Sequence, residues 1–176
     1  MVVTEKKICS EEIYNGHIIH VYKDEVALGD KKAIREVVRH QGAAAILAID
    51  EHGEAFFVEQ FRYPVDKALF EVPAGKIDPG ETPLECAKRE LTEECGVLAK
   101  KWTELGPMLS SPGFCDEAIY LFIARELSMA KPNPDEDEFL DIIKIPLTEA
   151  YRCLIDGKIP DAKTQILILR GMEYIK

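Results

Sequence analysis

Between Gly75 and Val97 the chain reads Gly-Lys-Ile-Asp-Pro-Gly-Glu-Thr-Pro-Leu-Glu-Cys-Ala-Lys-Arg-Glu-Leu-Thr-Glu-Glu-Cys-Gly-Val. A glycine-bracketed loop must turn sharply into a helix here, because Thr82 and Pro83 supply a start signal and Gly96 a stop. The spacing predicts a helix over about residues 82–95. At roughly 100° per residue, Leu84, Ala87, Leu91 and Cys95 share one stripe, the face that packs on a sheet. Glu90, Glu93 and Glu94 lie together on a different face, since positions three and four apart are neighbours. Like charges so placed cost about a few tenths of a kcal/mol per pair, and the helix C-terminus disfavours anions further. A cation resolves the conflict.

An acidic helix face is by itself usually only a solvated face. The loop changes that reading. Gly75 and Gly80 permit a tight turn, and Ala74-Gly75 brings a backbone carbonyl near the carboxylates as a further oxygen donor. Arg89 stands beside the acids as an internal counter-charge. Hard oxygen donors suit Mg²⁺, which keeps several waters and accepts substrate phosphate oxygens. The absence of paired histidines or cysteines disfavours zinc.

The flanking sequence reads as strands. Short apolar and polar runs over residues 5–40, broken at Asn15-Gly16 and Gly29-Asp30, predict antiparallel hairpins. Ala43–Asp50 suits a buried central strand, paired with Ala55–Phe61 across a turn at Asp50–Gly53. Further strands are expected over Leu69–Pro73, Trp102–Leu109, Ala118–Ala124 and Phe139–Ile145, with an acidic, proline-broken loop at 131–138. Helices are expected over Leu147–Asp156 and Ala162–Tyr174.

A chain of 176 residues, 47% hydrophobic, suffices for one globular domain with a terminal extension. A formal charge of -10 argues against nonspecific nucleic-acid binding, so a small anionic substrate needs local cations or metal. No apolar run has the length of a signal peptide or a membrane span, so no membrane partner is expected. Five cysteines without a CxxC pair read as reduced thiols, which makes the cytoplasm the expected compartment. Cys86 and Cys95 lie about 13 Å apart along the helix, too far for a disulfide. His17 and His20 lack a third ligand and are read as structural.

Together, Gly75, Glu81, Arg89, Glu90, Leu91, Glu93, Glu94, Gly96 and Val97 match every specified position of the Nudix box. The chain thus resembles the Nudix hydrolases. That resemblance implies an α/β fold, an α/β/α sandwich with a mixed sheet, here with an added N-terminal antiparallel hairpin region. It implies metal-dependent attack of water on a nucleoside diphosphate derivative. Outside the box, Val58–Pro64, Phe70–Gly75 and Pro112, fifteen residues past Val97, resemble the ADP-ribose pyrophosphatases within that family. Residues 1–40 would then be a strand region serving dimerisation, and 41–176 the Nudix domain of a homodimer.

By the same resemblance, the metal ligands would be Glu90, Glu94, Glu93 and the Ala74 carbonyl, with Glu81 reaching the ion through water. Glu93 could instead organise the attacking water. Glu136, then Glu138, in the acidic loop are the expected general bases, since a carboxylate can take a proton from metal-acidified water. Arg62 is expected to face the terminal ribose or phosphates, Glu117 to accept from a ribose hydroxyl, and Arg35 and Tyr14 to meet the adenine. Pro112 marks the substrate loop. The expected reaction is Mg²⁺-dependent hydrolysis of ADP-ribose to AMP and ribose 5-phosphate, with Mn²⁺ as substitute ion. GDP-mannose, a dinucleotide or an oxidised nucleotide are alternative substrates, and a non-catalytic ADP-ribose-binding regulator is an alternative class.

Overall fold

The alternating N-terminal runs form three antiparallel strands, β1 (Lys6–Asn15), β2 (His20–Leu28) and β3 (Lys31–Arg39), in the order β1-β2-β3. The first turn spans residues 16–19, one residue later than the Asn15-Gly16 signal, and is closed by the Gly16 amide on the Ile19 carbonyl (3.0 Å); the second falls at Gly29-Asp30, where Gly29 takes the left-handed φ of 61° that such a turn requires. These strands lie in the first of two compact units, Met1–Gly42 with Leu109–Ala118. The second unit comprises Ala43–Met108 and Ile119–Lys176. The computed structural model describes residues 2–133 and 139–175.

The second unit is built on β4 (Ala43–Ile49), β5 (Glu54–Arg62), β6 (Lys67–Glu71) and β7 (Ala74–Lys76), followed by α1 (Pro83–Cys95). The chain continues through β8 (Val97–Leu109), β9 (Ala118–Met129) and β10 (Leu140–Pro146), then α2 (Leu147–Ile155) and α3 (Ala162–Gly171). Among the described residues these seven strands make one mixed sheet, ordered β10-β5-β4-β9-β8, with β6 against β5 and β7 against β4. β4 runs parallel to β9 and antiparallel to β5 and β7.

β4 is apolar throughout because both of its faces are covered. Ala44, Ile46 and Ala48 pack with Cys86, Ala87, Leu91 and Cys95 of α1. Ala45, Leu47 and Ile49 pack with Leu147 of α2 and Leu167 and Ile168 of α3. The period-two alternation of the strand therefore divides two cores, giving helices on both sides of the sheet.

Several boundaries differ from the sequence expectation. Ala74–Lys76, read as loop, forms a three-residue strand because its backbone pairs with Ala43–Ala45. β8 starts at Val97, directly after Gly96, since no breaker separates them. β9 runs on to Met129, and the last helix ends at Gly171 before a 3₁₀ turn over Met172–Tyr174. No described helix is long and apolar enough to cross a membrane.

Candidate active site

The helix carrying the acids is fixed at both ends. The Thr82 hydroxyl accepts from the Glu85 amide (3.3 Å), and the Glu85 carboxylate accepts from the Thr82 amide (2.8 Å), a reciprocal capping box. Gly96 ends the helix at φ 62°, and its N–H bonds to the Leu91 and Thr92 carbonyls. As expected, Ala87, Leu91 and Cys95 are buried, with Leu84 packed against the same cluster. The acidic face is not uniformly solvated: Glu90 is 6% and Glu94 3% exposed. Burying a carboxylate is costly unless partners compensate it.

Those partners come from β7 and from Arg89. The Ala74 amide donates to Glu94 Oε2 (3.0 Å). The Glu90 carboxylate occupies the space beside Gly75, where any Cβ would collide with it. Arg89 donates through Nη1 to Glu90 (2.6 Å) and Glu93 (3.1 Å). Its Nε and Nη2 form a fork on Glu81 (3.0 and 2.9 Å), and Nη2 also donates to the Lys76 carbonyl (3.0 Å). The fork on Glu81 is the main reason the Arg89 pKa rises still higher, and it holds the Glu81 carboxyl below its usual range. Three box carboxylates, Glu81, Glu90 and Glu93, thus share one guanidinium. Among the described residues, no three Asp, Glu, His or Cys side chains converge to hold a metal ion.

Cys86 lies against the same loop, with its thiol toward the Gly75 and Lys76 carbonyls (3.5 and 3.3 Å). Burial, reinforced by Glu90 and Glu81, pushes its pKa up to about 12. It stays a neutral thiol and offers no thiolate to a soft metal. All five cysteines are free.

A second charged network begins at Arg62, which is locked in place. Its Nε and Nη2 donate to Glu71 Oε1 and Oε2, both at 2.8 Å. Glu71 is 1% exposed and also accepts from Lys163, which in turn donates to Asp161 (3.0 Å). Asp161 caps α3 by accepting from the Thr164 amide (2.9 Å), while Thr164 Oγ1 accepts from the Val72 amide (2.8 Å). Glu94 and Asp161 contribute to the raised Arg62 pKa, after the leading effect of the Glu71 hydrogen bonds. Sequence reasoning singled out Arg62 but not Glu71 or Lys163. The available signal was a lone acid inside the apolar run Leu69–Val72, which burial obliges to find a cation.

Tyr14, Arg35, Pro112 and Glu117 belong to the N-terminal unit. Tyr14 is exposed on β1 opposite Val21. Arg35, on β3, forks onto Glu5 (2.9 and 2.6 Å). Pro112 is exposed in a turn closed by the Phe114 amide on the Ser111 carbonyl (3.1 Å). Glu117 lies 3.6 Å from His40 Nδ1. Glu136 and Glu138 lie outside the described residues.

The NUDIX domain family model matches residues 38–166. The chain is 42% identical over 167 residues to the ADP-ribose pyrophosphatase of Bacillus subtilis, covering 93% of this chain and 90% of that one. It is 41% identical over 168 residues, with the same coverage, to the methanol dehydrogenase activator of Bacillus methanolicus. The GDP-mannose pyrophosphatase of Yersinia enterocolitica is 35% identical over 145 residues, 77% of this chain and 75% of that one. A crystal structure of an ADP compounds hydrolase superposes with a TM-score of 0.84 at 20% identity, covering 99% of this chain and 96% of that one. That likeness shows the shared fold. With its box acids gathered around Arg89 and β7, and with the family match spanning most of its length, this chain belongs to the Nudix family of hydrolases.

Proposed function

We propose that the chain hydrolyses the diphosphate of ADP-ribose, giving AMP and ribose 5-phosphate, with Mg²⁺ as cofactor. The observation that carries this reading is the buried pair Glu90 and Glu94, one seated in the space left by Gly75 and the other bonded to the Ala74 amide. Two carboxylates and a backbone carbonyl fit a hard ion that keeps its own waters better than one that needs a closed cage. They would hold the ion with the Ala74 carbonyl, while Glu81 and Glu93 stay within reach of Arg89. When bound, Mg²⁺ supplies charge neutralisation of the diphosphate and a more acidic water.

The chain's own residues do the rest. Arg89 offsets the repulsion within the acidic face and so keeps the carboxylates oriented. Arg62, held rigid by Glu71 and with its side chain 39% exposed, is assigned as a donor for substrate oxygens. Glu136, or else Glu138, is assigned as the base that takes the water's proton, Glu117 and Pro112 to the ribose side, and Arg35 and Tyr14 to the base. A homodimer is assigned through the N-terminal strands; in support, all ten residues of β1 are exposed. The free thiols support a reducing, cytoplasmic setting.

The relatives named for ADP-ribose and for GDP-mannose make substrate choice the first test. Products are resolved after incubation with Mg²⁺ and ADP-ribose, GDP-mannose, NADH, diadenosine polyphosphates or 8-oxo-dGTP. ADP-ribose is expected to give the highest kcat/KM, with AMP and ribose 5-phosphate in equal amounts. Preference for GDP-mannose, or tight ADP-ribose binding without AMP release, would overturn the assignment.

A further inference from the structure

The parallel pairing of β4 with β9 ends at Ala48 opposite Ala124, where β4 stops one residue later and β9 runs on to Met129, so Ile49 and Arg125 follow at the same level of the sheet. Beyond that edge lies a cleft of about 580 Å³, lined among others by Gly53, Lys101, Arg125 and Tyr174. The volume falls in the range of small-molecule sites. Crevices outside the carboxyl ends of parallel strands are where open α/β sheets place ligands. The box acids meet β7 at the other end of β4, opposite Ala43–Ala45, so the cleft begins about four residues or ~13 Å along the strand from them.

Arg125 is the unusual residue of this cleft. Its Nε is buried without a hydrogen-bond partner among the described residues. The guanidinium lies over the Tyr174 ring, 4.9 Å from its centroid, a contact that orients the group without using its N–H donors. A buried guanidinium N–H left unpaired is costly, and natural structures rarely retain one without a use. Lys101 adds a second cation to the lining.

Asp50, Glu51 and Glu126 line the same cleft, and among the described residues none of them forms an ion pair with Arg125 or Lys101. Asp50 accepts from Lys144 (2.7 Å) and from the His52 and Glu54 amides (2.8 and 3.0 Å), so its carboxylate is already satisfied. Glu51 lies 3.7 Å from His52 Nε2, and Glu126 is exposed. Glu126 adopts φ 57°, a left-handed conformation that is uncommon for a non-glycine residue. It directly follows Arg125 at the rim.

We propose that this cleft is a second binding site, separate from the box, that takes a small phosphate-bearing anion through Arg125 and Lys101. A guanidinium matches the oxygens of phosphate bidentately, and the neighbouring ammonium favours a doubly charged ion over a carboxylate. Inorganic phosphate and a nucleoside monophosphate share this chemistry.

The test is a titration of the ¹⁵N-labelled full chain with inorganic phosphate, with AMP and with acetate, followed by amide NMR shifts. Phosphate is expected to shift the Gly53, Arg125 and Ile175 amides saturably, with half-saturation below about 10 mM. Acetate is expected to bind at least ~10-fold more weakly. Arg125→Gln should abolish the phosphate response while leaving hydrolysis of the preferred substrate unchanged. A stronger response to AMP than to phosphate at these same amides would identify a nucleotide as the source of the anion, within the same site. No saturable shift, an equal response in Arg125→Gln, or shifts confined to the Gly75–Val97 segment would overturn the proposal. A Lys101→Gln variant, weakened but still responsive, serves if Arg125→Gln fails to fold.

Discussion

Gly75 shows how one absent side chain can organise a site. Its φ is not in the left-handed region, so backbone freedom does not explain the glycine. Space does, because a Cβ would strike the Glu90 carboxylate. The struck atoms are the far end of a flexible side chain, which can swing aside at little cost to the fold. Gly75→Ala is therefore expected to melt close to wild type yet lose on the order of 10²-fold in kcat, the penalty of misplacing a reacting group by about an ångström. Parallel thermal melts and saturating-Mg²⁺ kinetics check it; a variant with full activity would show that Glu90 need not sit there. Glu71 gives a second test at this scale. Burial works to raise its pKa, but hydrogen bonds from Arg62 and the charge of Lys163 prevail and hold it below its ordinary 4.5. A depressed folded-state value means that the stabilisation is present above about pH 4.5 and is lost as the pH falls through the folded value. In urea unfolding between pH 3 and 6, wild type should gain stability with rising pH more steeply than Glu71→Gln. Equal slopes would contradict the pairing. The spacing of the box acids was legible in the sequence, since helical neighbours follow from 3.6 residues per turn. The burial of Glu90 and Glu94 was not, because it depends on β7 closing over them. Nor was the contact of Glu71 with Lys163, whose partners lie far apart in the chain.

At the scale of elements, α1 is the best determined, and local chemistry explains why. Thr82, Glu85 and Gly96 set its ends, and its apolar stripe sets its buried face. Thr82→Ala removes the hydroxyl that caps the helix and should cost about 1 kcal/mol, read as a drop of about 2–4 °C in Tm for a chain of this size. An unchanged Tm would mean that packing alone fixes the helix start. The three-residue β7 was not legible. Its pairing with β4 is a long-range choice, made because β5 uses only Ala48 and Ile49 of that strand edge and leaves Ala43–Ala45 for β7. That choice brings the glycine loop alongside α1. The missed starts and ends of β8 and β9 are ordinary, because charged residues such as Lys100 and Lys101 mask strand character where only one face is covered.

For the molecule as a whole, the sequence indicated an α/β chain with an N-terminal hairpin region, and the mixed sheet with helices on both faces agrees with it. Strand order was beyond periodicity: β4 and β9 pair in parallel although about seventy residues separate them. The segment Leu109–Ala118, which interrupts the second unit, clusters with the N-terminal strands. Val38 there donates to the Phe114 carbonyl (2.7 Å) and accepts from the Asp116 amide (3.1 Å), contacts that no local pattern announces. The proposed catalytic face of the second unit rests on two buried glutamates, Glu90 held by Arg89 and Glu94 by the Ala74 amide. The most direct measurement is the rate of AMP release from ADP-ribose at saturating Mg²⁺ for wild type and Glu94→Gln, with a thermal melt of each. Glu94→Gln is expected to lose at least ~10²-fold in kcat, the scale of removing one electrostatic stabiliser of a transition state, while its Tm stays near wild type. Near-normal turnover in that variant would contradict the assignment of this face as the metal and catalytic site.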